Sequence, residues 1–437
     1  MLVPLEGGFR RPACRRPQQP CCGFFVHALH PRTAPPPPPA LNAVPDRRLR
    51  ALVLGAGPTG ALTAFALAQA GWQVQLRDPL SAQQLRQRNR AYAFTHSSRS
   101  LLEQLGLWQS LQANLVPFSS LMLCDTGSGA APVQFSAGDL AAPAAKANGS
   151  VGWIGLHTPL MGGLLQALEH HPAVQLQLGT MPTGPVVAEP DSQPHAEVDL
   201  VVAADGPYSP TRAALGIGLW QWNYRQSCLT AQVQLRGCGE AQAWELFRPE
   251  GPFALLPLGA DHVQLVWSAP AARCRQLESL DAVGFLDSLA GALPDRFQPD
   301  ALEEPPRAFP VALALARKLH RGRTVLVGES AHRCHPVGGQ GLNLCWRDVA
   351  VLHGLALRAS QGRLLPAALP GRYSRNRWAD LLLTLVATDL LVRGFSNRLP
   401  ALLPIRRLAL GWLRRSSLLR RLSLGVMTQG PCRPRAF

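Results

Sequence analysis

Ala51-Leu-Val-Leu-Gly-Ala-Gly-Pro-Thr-Gly60 decides the fold. Ala51 to Leu54 is a short continuous apolar run, the mark of a strand buried on both faces of a parallel sheet. Gly55-Ala-Gly-Pro-Thr-Gly60 breaks it, and an apolar helical stretch then runs to Ala70. Gly71 and Trp72 close that stretch, and Val74-Gln75-Leu76 reads as the next strand. Asp78 follows Gly60 by eighteen residues, where an acid meets a ribose hydroxyl in a dinucleotide-binding turn. Here Gly55 makes the turn, Gly57 lets backbone approach a pyrophosphate, and Gly60 lets helix and strand pack closely. A lone G-x-G-x-x-G could be an ordinary glycine-rich turn. The strand before it, the helix after it and the acid downstream make it a fingerprint.

Two distant segments repeat the pattern of strand, polar turn and helix. Val198-Asp-Leu-Val-Val-Ala-Ala204 is a buried strand ending in Asp205-Gly206, with Ser209, Thr211 and Arg212 at a helix start. Taken alone, Asp-Gly after a strand is a turn. Thr324 to Val327 is a third strand, followed by Gly328-Glu329 and a loop holding Pro336, Gly338, Gly339, Gln340 and Gly341. A helix-compatible stretch opens there, through Leu342 and Asn343. Such a helix start offers unpaired N–H groups and partial positive charge to an anion, or to a ring that becomes anionic on reduction.

The net charge of +16 suggests a nucleic-acid binder at first sight. Its distribution argues otherwise. Residues 1–50 carry eight Arg against two acids, and residues 371–437 thirteen Arg against two, so the middle is close to neutral. With no aromatic-interleaved basic groove and no zinc-finger spacing, no nucleic-acid partner is expected. Residues 1–47 read as a disordered or mis-started extension, with Pro35–Pro39 after Arg-rich sequence, no apolar signal core and no Ser. The ten Cys have no repeating spacing, which fits reduced cytoplasmic thiols. His332 and His335 flank Cys334 but lack further ligands at suitable spacing, so no metal site is expected and both are read as shaping the loop.

The three segments, in this order and spacing, resemble the FAD-dependent aromatic hydroxylases, and within them the ubiquinone-biosynthesis hydroxylases of the UbiH/VisC type. Arg90 with Ala91-Tyr-Ala-Phe-Thr, Glu245-Leu-Phe-Arg-Pro-Glu-Gly-Pro-Phe-Ala-Leu-Leu-Pro-Leu258, Leu265-Val-Trp-Ser268 and Ala387-Thr-Asp-Leu-Leu-Val-Arg-Gly-Phe-Ser396 extend the likeness over about residues 50–430. It implies an α/β fold: a discontinuous Rossmann-like FAD-binding domain (48–215 and 310–360), an inserted antiparallel-sheet substrate domain (220–309) and a basic C-terminal helical region (361–437). It also implies NAD(P)H as transient co-substrate and O2 transfer, through a flavin C4a-hydroperoxide, to a prenylated phenol. Gly55, Gly57 and Gly60 would hold the pyrophosphate and Asp78 the adenosine ribose. Arg90, Asp205 and Gly206 would support FAD. Pro336, Gly339, Gln340, Gly341, Leu342 and Asn343 would meet the flavin's pyrimidine edge. The family position after Gly328 is usually Asp or Asn; Glu329 stands here with an extra methylene. Tyr224, Phe253, Pro257 and Trp267 are candidates for the substrate side, though each taken singly reads more readily as sheet core than as a substrate contact.

Two readings of the tail stay open: a helical bundle with a solvated basic face, or an interfacial helix on an anionic membrane. No apolar run there reaches the ~20 residues of a bilayer span. Competing functions are another FAD-dependent enzyme on an isoprenoid or aromatic substrate (a prenyl reductase, halogenase or lycopene-cyclase-like enzyme), and a non-catalytic flavin-bound subunit of a quinone-synthesis complex. Trp220-Gln-Trp222 suggests a halogenase, but the Ile-Pro that follows in that motif is missing and the lysines are only Lys146 and Lys318.

Overall fold

The computed structural model describes residues 47–88, 90–140, 149–180, 198–239 and 241–432. The expectation for the first 46 residues lies outside this range.

The apolar run Arg50–Leu54 sits inside a six-stranded sheet. It pairs in parallel with Gln73–Asp78 and with Leu200–Ala203. Val174–Leu178 and Thr324–Leu326 extend the parallel array on either side, and the short antiparallel strand His320–Arg321 closes one edge. Leu52, Val53, Leu200 and Val202 are almost fully buried, as both-sided cover requires. The fingerprint helix Pro58–Gln69 lies against the long helix Gln340–Ser360. Trp72 Nε1 donates to Ala356 O at 3.2 Å, and His353 Nδ1 bonds Ala66 O at 2.8 Å. Residues nearly 300 apart in sequence are thereby locked around one core.

An eight-stranded sheet forms the second layer. Its centre is Leu219–Arg236, paired antiparallel with Gln298–Ala316 and with His262–Pro270. Phe253–Gly259 and Gln242–Phe247 continue it, so the expected β-runs near 229–235, 254–258 and 263–267 are strands. Ser120–Asp125 and Val133–Ser136 fall within the span read as flavin domain, yet they complete this second sheet: the first pairs in parallel with Gln242–Phe247, and the second pairs antiparallel with the first. Val133 and Phe135 of the latter strand are buried in one apolar cluster with Ala243, Leu410 and Leu424.

The two faces of this sheet differ. One carries Leu229, Phe253, Leu265 and Trp267 into a core with Leu277, Phe285 and Leu289 of the helices Ala271–Glu278 and Ala282–Ala290. The other faces the parallel sheet and the C-terminal helices Leu369–Phe395, Leu403–Arg415 and Ser417–Gln429. Arg406, Arg407 and Arg420 turn inward and tie these helices down. Arg406 donates to Gly394 O at 2.7 Å, Arg407 to Ser128 O, and Arg420 to Asp139 at 3.1 Å. Among the described residues no helix is long and apolar enough to cross a membrane.

Candidate active site

A cavity of about 2320 Å³ lies between the two sheets. On one side it meets the carboxyl ends of the parallel strands, at Leu54-Gly55, Asp78, Ala204-Asp205 and Glu329. That is where open α/β sheets bind ligands. On the other it meets Thr230, Glu245, Ala254 and Val266 of the eight-stranded sheet.

The three fingerprint glycines do different things. Gly55 has φ +96°, and a Cβ there would sit 2.4 Å from Ala204 O. A Cβ on Gly60 would sit 1.8 Å from Gly55 O, so Gly60 is a packing residue and does not line the cavity. Gly57 has φ −64°, and a Cβ there meets no protein atom within 4 Å. Its backbone requires no glycine; the room above it opens into the cavity. Gly341 behaves the same way at the start of the long helix.

Asp78 braces the turn as well as facing the cavity. Its carboxylate accepts from Ala56 N at 2.6 Å and Leu80 N at 2.8 Å. Asp205 accepts from Thr211 N at 3.0 Å, while its Oδ1 and the Thr211 hydroxyl are buried without a protein partner. Gly206 (φ +85°) lies beside it. The Arg90 guanidinium rests 4.6 Å from the centre of the Phe309 ring at the cavity wall. Glu329 is exposed in the short turn Gly328–Ser330 and lines the same space. Pro336, Gly339, Gln340, Gly341 and Leu342 line it too. Asn343 does not. It is buried, accepting from Thr95 N and Ser98 Oγ and donating to Ala93 O and Gly339 O, so it fixes the helix start.

The candidate substrate residues fall elsewhere. Phe253, Pro257 and Trp267 are buried and do not line the cavity. Strand side chains alternate, so their neighbours Ala254, Leu256 and Val266 take the cavity face. Tyr224 lies outside it, donating to Asp389 at 2.8 Å with its ring on His335. Trp220 and Trp222 are exposed and also outside it.

Sequence reading missed three features. Asp348 accepts from Gly328 N at 2.8 Å and Arg377 at 2.6 Å and bonds His332 at 2.7 Å, while Asp380 joins Arg377 to Arg347. Burial alone would raise the Asp348 carboxyl; the charges of His332 and Arg377 overcome that and hold it at about 2. This network fixes the Gly328-Glu329 turn against two helices. His335, as expected, shapes the loop: its Nδ1 accepts from Val337 N at 3.2 Å, and burial pushes it down to about 3. The second missed feature is Glu245, a buried carboxylate in the cavity wall. An acid at an inward position of the strand Gln242–Phe247 was its only signal. The third is an apolar branch lined by Leu383, Ala387, Leu390, Leu391, Leu422 and Val426 of the C-terminal helices. Among the described residues no His, Cys, Asp or Glu cluster could hold a metal.

The residues fit FAD. Two helices point their starts at one cavity, with neither a side-chain cap nor an acid in the first turn. That leaves N–H groups and dipole for a pyrophosphate and for an electron-rich ring. The open space over Gly57 and the unpartnered Asp205 Oδ1 and Thr211 hydroxyl supply room and polar groups for the same ligand.

Comparison with known proteins agrees. The FAD binding domain family matches residues 48–125 and 174–367. The 3-demethoxyubiquinol 3-hydroxylase of Escherichia coli K12 is 33% identical over 393 residues, covering 85% of this chain and 96% of that protein. The ubiquinone hydroxylase UbiL of Rhodospirillum rubrum is 31% identical over 418 residues, 91% of this chain and 95% of that one. Among solved structures, a p-nitrophenol 4-monooxygenase from Pseudomonas putida has the same fold, with a TM-score of 0.69 at 18% identity over 88% of this chain and 99% of that chain. The fold, the fingerprint and these relatives together make the chain a member of the FAD-dependent monooxygenases, in the family of ubiquinone-biosynthesis hydroxylases.

Proposed function

We propose that this protein hydroxylates the ring of a prenylated phenol on the way to ubiquinone or a related quinone, consuming O2 and NAD(P)H. The apolar branch of the cavity carries this reading. A flavin and a simple phenol need no corridor of Leu383, Leu390, Leu391, Leu422 and Val426; an isoprenoid tail does. The names of the two relatives, both ubiquinone-pathway hydroxylases, support it.

Gly57, Asp78, Asp205 and the helix start at Gln340 would hold the cofactor. When bound, FAD supplies the electron transfer and oxygen activation. The protein's share is to orient the ring against it and to exclude water. The sequence carries one dinucleotide fingerprint, already taken by FAD, so NAD(P)H would dock transiently.

We also place the protein at an anionic membrane surface. Leu383, Leu390, Leu422 and Val426 both line the cavity and are exposed, so the apolar branch opens onto the C-terminal helices. Exposed Leu408 and Trp412 stand beside exposed Arg414 and Arg415. Apolar side chains interleaved with arginine suit a lipid interface.

The test is the quinone-lipid profile of cells lacking the protein, read by mass spectrometry. A prenylated phenol one hydroxyl short should accumulate, relieved by wild type and not by a Gly57→Ala/Gly341→Ala double variant. An unchanged profile would overturn the assignment.

A further inference from the structure

We propose that the Glu245 carboxylate holds the ring hydroxyl of the substrate and takes its proton during hydroxylation. The proposal rests on the prenylated-phenol reading above.

The register of the eight-stranded sheet sets the geometry. Leu123 pairs with Glu245, Glu245 with Ala254, Ala254 with Val266, and Val266 with Thr230. These five residues make one row across five strands, and all of them line the cavity. Glu245 is its single charged member. Ala254 beside it is small and leaves space over the carboxylate. Glu245 Oε2 accepts from Gly338 N at 3.3 Å, two residues before the helix start that would meet the flavin. Substrate bound against this row therefore lies between Glu245 and the cofactor.

Glu245 is 7% exposed, and among the described residues no Arg, Lys or His pairs with it. The charged groups of neighbouring elements are engaged elsewhere. Arg248 holds Glu250, Asp125 faces Arg406, Arg90 lies on Phe309, Arg420 holds Asp139, and His335 meets Tyr224 edge-on. Cys228 is the titratable neighbour that feels Glu245, and burial pushes its thiol up to about 12. Burial likewise pushes Glu245 up to about 7, with the Gly338 N–H drawing it partly back. A buried acid without a cationic partner is costly, and such groups gather where a proton must move near neutral pH.

The phenol O–H bond breaks, its proton forms an O–H bond on Glu245, and the electron pair stays on the ring oxygen. That pair makes the ring carbon beside it nucleophilic. The carbon takes one atom of O2, and NAD(P)H reduces the other atom to water. The ring C–H proton passes to the newly bound oxygen as aromaticity returns, Glu245 gives its proton back to the first ring oxygen, and one proton from solvent joins the hydrogen of NAD(P)H in the water.

The experiment compares wild type with Glu245→Gln, a near-isosteric change that keeps an acceptor for Gly338. Wild-type hydroxylation of a prenylated phenol should rise with pH through about 7. The variant should bind FAD equally and lose that limb. Its hydroxylation kcat should fall by about 10²–10⁴-fold, with electrons from NAD(P)H diverted to hydrogen peroxide. A variant with wild-type kcat and the same acidic limb would overturn the proposal. A second measurement uses wild type alone: the methyl ether of the ring hydroxyl should bind about tenfold or more weakly than the free phenol above pH 7. Equal affinities would overturn it. Wild type inert towards every prenylated phenol would instead sink the substrate reading, and that is seen before any variant is made.

Discussion

At the scale of single residues, two fingerprint glycines of similar appearance carry opposite predictions. Gly60→Ala puts a methyl 1.8 Å from Gly55 O, against backbone that cannot yield. It should give little soluble protein. Gly57→Ala meets no protein atom within 4 Å and needs no unusual φ. It should melt close to wild type yet bind FAD about tenfold or more weakly, measured by flavin titration; an unchanged affinity would remove Gly57 from the cofactor site. Glu245 makes a separate forecast about stability. Its folded value of about 7 lies above the ordinary 4.5, so the folded protein binds the proton more tightly than the unfolded chain. Stability from this group is full below pH 4.5 and is lost as pH rises through about 7. Glu245→Gln should therefore be about 1–3 kcal/mol more stable than wild type at pH 8, and the gain should vanish below pH 4.5. Thermal melts across that range decide it.

At the scale of elements, much was legible because local patterns matched the global fold. The buried strand, the glycine turn and Asp78 are contiguous, so sequence reading located them. Arg90, Asp205, Glu329 and the 336–342 loop also lie around the same cavity. The β-runs of the second sheet were legible as strands, but not by face. Period-two alternation shows that two faces exist, and the large aromatics Phe253 and Trp267 point to the helix-covered one. Small Ala254 and Val266, which carry no obvious signal, face the cavity. The Asp348 network was illegible for another reason: its partners come from a turn, the helix Gln340–Ser360 and the helix Leu369–Phe395. Asp348→Ala leaves His332 buried without its carboxylate and Arg377 with Asp380 alone. It should cost about 3–5 kcal/mol by urea denaturation, and a cost near zero would mean that the network does not organise the Gly328-Glu329 turn.

At the scale of the whole molecule, charge, cavity and tail form one arrangement. The net charge of +16 first suggested nucleic acid, yet Arg393, Arg406, Arg407, Arg414, Arg415, Arg420 and Arg421 stand on helices whose apolar residues wall the cavity. The docking reading predicts co-sedimentation with anionic vesicles that weakens with salt. Arg414→Glu/Arg415→Glu should lose it while keeping turnover on short-chain phenols, and undiminished vesicle binding would return these arginines to a solvated face. A tail corridor predicts that kcat/KM rises as the isoprenoid chain lengthens, and that Leu390→Glu removes that dependence. The central claim is that oxygen from O2 reaches a prenylated aromatic ring in this cavity. Its most direct test is turnover of purified, FAD-loaded protein with a prenylated phenol and NAD(P)H under ¹⁸O2. The account predicts a product heavier by one ¹⁸O atom on the ring. A product without the label, or NAD(P)H consumed with no hydroxylated lipid formed, would contradict it.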